Sequence, residues 1–369
     1  MADRAQGVLP RQTFASLISA GFIQGIDVNC ASAASLDLPL SNEAYRISYA
    51  FLPGQGRTVR SYLAAVGAEL FDLSNRLEVG ATYLVRIAGQ IELPREVYGY
   101  SNPKSSAGRL NLLVRIVADN VAMYDALTPA RWQGECWVLL QANSFPVRLS
   151  PGLSVSQLRL FTGPTFLSPL EVECAARTPG LFFHADGTPY RSEEYVRHAD
   201  SLLIPLAIPN EIGAQIGWEC RGSSHTLDFS KRHEYEPEDF FSPVFVQRDG
   251  SVLLRKGCFY ILSTEPRICV PPWIAAELRA IDPRFGEYRT HTAGYIDPGW
   301  GYGVEGEGRG SVITLEFVMY EDTRFFLGDL RYVARIRYER MCETPDRPYG
   351  SNNPSYPKQG LGQLSRHFK

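Results

Sequence analysis

The sequence predicts an all-β protein made of two copies of one domain, with a few short helices. Three observations predict it. Short apolar runs alternate with turn residues along the whole chain. The 25 prolines and 32 glycines are spread over all 369 residues rather than gathered in one linker, which is the texture of many short strands. A segment also recurs near half the chain length. LEVGATYLVRIAGQIELPREV, from Leu77, matches LLRKGCFYILSTEPRICVPPWI, from Leu253. At a constant offset of 177, Gly80 meets Gly257, Tyr83 meets Tyr260, Ile91 meets Ile268 and Pro94 meets Pro271. Such an offset means duplication of one unit, and the length suits two domains of roughly 150–200 residues.

The elements follow in chain order. Arg11 to Ala20 has apolar spacing that predicts a helix, with Thr13 as its cap. Tyr83–Ile87 and Gly134–Leu140 read as strands of the first copy, which spans 1–178 and carries a Lys/Ser/Ser/Arg motif. The stretch from Ala176 to Asp200 is polar and punctuated by Pro and Gly, so 179–199 reads as the connection. The second copy, 200–369, has strands at Val252–Leu254 and Val312–Phe317. Pro272 to Ile281 reads as a helical turn or two entered after Pro271-Pro272. Trp132-Gln133-Gly134 leads into an apolar strand. Trp300 does the same after a glycine-rich insertion, Gly301 to Gly310.

Composition excludes several classes. With 37 basic and 40 acidic residues the formal net charge is −3, so no global basic field argues for a nucleic-acid partner. A few local Arg and Lys still suffice for a triphosphate. Seven scattered cysteines without a CxxC read as reduced thiols of a cytoplasmic protein. Six histidines form no HxxxH or HxE pair, so neither a zinc site nor any other protein metal site is expected. The first residues lack an apolar h-region, and no apolar run reaches about 18 residues, so neither a signal peptide nor a membrane span is expected. No GxxxxGK[ST] or GxSxG occurs. Gly301 to Gly306 has a GxGxxG look but opens no helix.

Three constellations could carry chemistry. Asn102 to Leu110 places Lys104, Ser105, Ser106 and Arg109 on one turn, where hydroxyls, amides and cations can hold phosphate oxygens. A solvated polar turn is the plainer reading. Ile296-Asp297-Pro298-Gly299-Trp300 precedes the strand bearing Glu316. Period-2 alternation puts Glu316 with Thr314, opposite Leu315 and Phe317, either on an exposed face or in a pocket as general acid/base. The C-terminal stretch, Arg347-Pro348-Tyr349 and then Tyr356-Pro357-Lys358-Gln359-Gly360, reads as a frayed end or as a tail closing over an anionic ligand.

Together these pieces resemble the dCTP deaminases of the dUTPase-like (β-clip) superfamily, in a double-length form. The carriers are Lys104 to Leu110, Thr292 to Trp300 followed by Ile313 to Phe317, and the Arg347-Pro348-Tyr349 and Tyr356 to Gly360 tail. The resemblance implies a tandem pair of β-clip domains, each a distorted β-barrel or jelly roll. It implies hydrolytic deamination of dCTP to dUTP and ammonia, in pyrimidine deoxynucleotide metabolism. Glu316 would be general base and acid. Ser105 and the carbonyl of Ala293 would orient the water, and Arg109 would stabilise charge. Lys104, Ser105 and Ser106 would bind phosphates, with Tyr349, Tyr356, Lys358 and Gln359 from the tail. Thr292, Asp297 and Trp300 would line the nucleotide site. Magnesium would arrive only with the triphosphate, without zinc, and inhibition by dTTP stays open.

Each copy departs from the family pattern. The strand Val138-Leu139-Leu140-Gln141 has leucine where the glutamate would be. Ala280 to Gly286 lacks the serine pair, although Arg284 reads as keeping the arginine's place. The expectation is that the copies complement each other, Ser105 and Arg109 facing Glu316, within a chain or between chains of a homo-oligomer. Two alternatives stay open: a bifunctional enzyme that also hydrolyses dUTP, and a catalytically inactive nucleotide-binding β-clip protein.

Overall fold

A computed structural model describes residues 6–290, 294–329, 331–351 and 360–369. It divides into two compact units. The first holds Met1–Thr165, Gly222–Tyr235 and Met341–Arg347. The second holds Phe166–Arg221, Glu236–Arg340 and Pro348–Lys369.

In the first unit one long strand, Leu36–Ile47, ties two sheets together. Its first half pairs with Ser154–Thr162, which continues through Val97–Pro103 to Ala126–Leu127. Its second half pairs with Thr82–Ile87, which continues through Cys136–Ala142 to Leu112–Ala118. These pairings are antiparallel, and a register shift between Leu40 and Ala44 marks the bend from one sheet to the other. The runs rich in Val, Leu and Ile bury residues on both faces of Cys136–Ala142, as a central strand covered on both sides requires.

The second unit repeats this order with the long strand cut in two. Ser201–Pro205 pairs with Tyr332–Arg340, then Ile274–Ala280, then Tyr295–Ile296. Gln215–Cys220 pairs with Phe259–Ser263, then Thr314–Met319, then Tyr288–Thr290. The expected all-β tandem duplication is therefore present strand by strand.

The repeated residues do equivalent jobs. Gly80 and Gly257 sit at φ +78° and +76°, a left-handed turn that glycine adopts without strain. Tyr83 and Tyr260 are fully buried. Each hydroxyl accepts a hydrogen bond from the backbone N–H five residues earlier, Glu78 at 3.1 Å and Arg255 at 2.7 Å. Ile91 pairs with Gly134, and Ile268 bridges to Ser311. This places the glycine-rich insertion between matching strands.

Four expectations need correction. The helix Arg11–Ser19 forms, but its N-cap is Pro10, and Thr13 is buried beside Phe14 and Leu17. Pro272 to Ile281 forms a strand, Ile274–Ala280, hydrogen-bonded on both sides. Tertiary pairing overrides its helix-compatible composition. The expected connection 179–199 contributes Leu181, Phe182 and Tyr195 to the second unit's core. It follows a helix, Pro169–Arg177, whose capping box joins Ser168 and Glu171. The unit boundaries also differ from 1–178 and 200–369. Gly222–Tyr235 belongs to the first unit, where Leu227–Asp228 pairs in parallel with Val147–Arg148 and Leu227 and Phe229 are buried.

All seven cysteines are free thiols. Burial pushes the Cys269 thiol up to about 12. No described helix is long and apolar enough to cross a membrane. Among the described residues no three or more His, Cys, Asp or Glu side chains gather as a metal-binding group.

Candidate active site

Lys104, Ser105, Ser106 and Arg109 lie where the strand Val97–Pro103 ends in one turn of helix, Ser105–Gly108. Lys104 N–H donates to Val155 O at 2.8 Å, and Arg109 N–H to Ser105 O at 3.0 Å. This is not a solvated surface turn. Ser106 and Arg109 are 4% and 3% exposed, while Lys104 and Ser105 are half-buried. The Lys104 ammonium is ion-paired with Asp37, a partner 67 positions away that no local pattern announces.

Glu316 sits in the middle of Thr314–Met319 and is 5% exposed. Of the two readings of this carboxylate, the exposed face is excluded. Thr314, Leu315 and Phe317 are buried as well, so both strand faces are covered. Glu316 pairs with Ile261, which pairs with Trp218.

Strand register settles which residues correspond between the copies. Leu84 pairs with Leu139, and Ile261 with Glu316. Both members of the second pair lie 177 residues after those of the first, so Leu139 occupies the glutamate's place. Tyr100 pairs with Ala126, and Glu277 with Tyr295. Counting on, Thr128-Pro129 stands where the second copy has Asp297-Pro298. The two tryptophans match through their carbonyls: Trp132 O accepts from Leu93 N–H and Trp300 O from Val270 N–H, both at 2.8 Å.

The strands Val97–Pro103 and Ile274–Ala280 are likewise 177 apart. Ser105 and Ser106 then fall on Asp282 and Pro283. The following strands are 176 apart, Val114 pairing with Leu140 and Thr290 with Phe317. One residue is thus lost, and Arg109 falls on Phe285 or Gly286. Arg284 does not keep the arginine's place. Its side chain is 79% exposed and ion-paired with Asp282 at 2.8 Å.

The IDPGW turn and the tail meet within the second unit. Tyr349 N–H donates to Pro298 O at 2.8 Å, and its ring lies 4.9 Å from that of Trp300. Gly299, at φ +99°, lies so close to this stretch that a Cβ would come within 2.9 Å of Pro348 and Tyr349. Asp297 is half-buried. The Trp300 Nε1–H is buried with no hydrogen-bond partner among the described residues, whereas Trp132 Nε1–H donates to Asp119 O at 2.8 Å. A buried unpaired donor costs about 1–3 kcal/mol, a cost that an incoming acceptor would remove.

Thr292, Ala293, Tyr356, Lys358 and Gln359 lie outside the described residues. The chain end beyond them is docked rather than frayed. Gly362 N–H donates to Ser263 Oγ at 2.8 Å. Leu364, Ser365, His367 and Phe368 are buried, and Phe368 meets Phe240 and Phe241 edge-on. Sequence reasoning missed this anchor, although the glycine at 362 was a signal. A Cβ there would come within 2.6 Å of Gly217 Cα, beside the strand that pairs with Glu316's own.

Comparison with known proteins finds one family profile for each copy. The profile of the 2'-deoxycytidine 5'-triphosphate deaminase N-terminal domain matches residues 5–164, and that of the C-terminal domain matches 188–368. No curated protein matches significantly. Among solved structures, the chain is similar to 2'-deoxycytidine 5'-triphosphate deaminase from Agrobacterium tumefaciens. The two share 31% identity with a TM-score of 0.82, over 93% of this chain and 97% of that one.

Proposed function

Because the chain belongs to the 2'-deoxycytidine 5'-triphosphate deaminase family, we propose that it hydrolyses dCTP to dUTP and ammonia with a water activated by Glu316. The observation that carries this reading is a carboxylate 5% exposed in mid-strand, at the register position where the first copy has Leu139.

The chemistry passes two protons through one carboxyl. Glu316 takes a proton from water as hydroxide adds to cytosine C4 and hands it to ring N3, where it becomes the N3–H of the product. The same carboxylate then takes the proton of the new C4 hydroxyl and delivers it to the departing exocyclic amino group. The bond from C4 to that amino group breaks, ammonia leaves, and C4 becomes a carbonyl carbon. Ser105 and the Ala293 carbonyl orient the water, and Arg109 offsets the negative charge that develops. Lys104, Ser105 and Ser106 hold phosphate oxygens, joined by Tyr349, Tyr356, Lys358 and Gln359. The Trp300 indole N–H, Asp297 and Thr292 serve the nucleoside. Water activation by a carboxylate requires no zinc at the reacting carbon. Magnesium enters as part of the nucleotide substrate.

Ser105 and Arg109 come from one copy and Glu316 from the other, and we propose that they act in one reaction. Mixing Ser105→Ala protein with Glu316→Gln protein tests how. Recovery of ammonia release on mixing means that sites are shared between chains. No recovery from two inactive proteins means that each site belongs to one chain. Activity of either variant alone would remove its residue from the mechanism.

A further inference from the structure

The two copies differ in character on one sheet face. In the second copy that face carries Glu316 and Thr314, with Ile261 across from Glu316. In the first copy the residues at the corresponding register are Leu139, Trp137 and Leu84. With Ile47, Val59, Val66 and Val117 these form a separate apolar cluster. Trp137 is fully buried, and Leu139 is 3% exposed.

The cover over this cluster comes from the first copy's own chain. After the strand Leu36–Ile47, the segment 48–68 folds back on the sheet. Val59 and Val66 enter the cluster, and Phe51, Tyr62, Leu63 and Ala68 pack against it. The rings of Phe51 and Tyr62 stack at 5.1 Å. Polar bonds hold the cover down. Val59 N–H donates to Asp119 Oδ1 at 2.7 Å, and Ser48 N–H to Val66 O at 2.9 Å. The Arg60 guanidinium lies 5.2 Å over the Trp137 ring and bonds both Glu43, at 2.8 and 2.9 Å, and Glu135, at 2.8 and 3.0 Å. Those two carboxylates keep Arg60 protonated more firmly than usual.

The stretch that follows the equivalent strand of the second copy, Gly222–Tyr235, belongs instead to the first unit.

We propose that the first copy's nucleotide face has become a second hydrophobic core, sealed by residues 48–68, so that each chain binds one nucleotide and the first copy offers neither a second catalytic nor a regulatory nucleotide site. This rests on the reading of Glu316 as the catalytic carboxylate. A polar substrate could enter the first copy only by lifting Val59, Val66 and their neighbours off Trp137, and it would meet no carboxylate at Leu139.

Equilibrium binding of dCTP to Glu316→Gln protein tests the stoichiometry. One nucleotide per chain is expected, and two would overturn the proposal. No binding at all would count against the proposed function. The sealed core is then judged by Leu139→Glu in the otherwise unaltered full chain. That carboxylate would be buried unpaired in the apolar cluster and should lower Tm by roughly 10 °C. An unchanged Tm would show the face to be open and would overturn the proposal.

Discussion

If Lys104 binds phosphate as proposed, its ion pair with Asp37 opposes that binding by a measurable amount. Both side chains are little exposed, 23% and 22%, yet water still reaches them. A pair so placed is worth about 1 kcal/mol or less. If Lys104 holds a triphosphate, it must leave Asp37 or share its charge, and the carboxylate also repels the incoming phosphates. Asp37→Asn removes both costs at once. The expected result is a fall in KM for dCTP of up to about fivefold, with kcat unchanged, since about 1 kcal/mol is a factor of about five. The assay is initial-rate ammonia release over a range of dCTP concentrations at fixed ionic strength. Raising the salt should narrow the difference between the proteins. An unchanged or higher KM with a lowered Tm would refute the reasoning, because it would make the pair a purely structural tie.

Two further perturbations follow from the geometry. Tyr83→Phe loses only an acceptor for Glu78 N–H, about 1 kcal/mol. Tyr260→Phe also takes a donor from Glu219 Oε2, bonded at 2.8 Å and 7% exposed, for which about 1.5–3 kcal/mol applies. Denaturant unfolding should show the larger loss for Tyr260→Phe, and equal losses would contradict it. The Glu171 carboxyl is held down at about 2, first by Ser168 N–H, then by the Ser168 hydroxyl and Arg340. A lowered carboxylate pKa gives stability that is present above the ordinary value of 4.5 and lost as pH falls from there towards 2. The Tm deficit of Glu171→Gln should therefore shrink over that window, and a deficit independent of pH would contradict the assignment.

Much of the duplication was legible because it rests on local devices. Gly80 and Gly257 mark the same left-handed turn, and Tyr83 and Tyr260 bond a backbone N–H only five residues away. What stayed hidden depends on distant partners. Ile274–Ala280 is a strand because Tyr332–Arg340 and Tyr295–Ile296 flank it. Leu227 and Phe229 fill the first unit from a stretch that lies in the second copy's sequence. Arg284 looked like the counterpart of Arg109 until strand register moved that position by one or two residues. At the site, the motif around Glu316 could be read directly, while Asp37 beside Lys104 and the docking of Gly362 against Gly217 required the folded chain.

The central claim is that Glu316 activates the water that deaminates dCTP. The direct test is ammonia and dUTP production from dCTP, in the wild-type chain and in Glu316→Gln. The account predicts both products from the wild type. It predicts no ammonia above background from Glu316→Gln, with dCTP still bound. Ammonia release by the variant at the wild-type rate would contradict it.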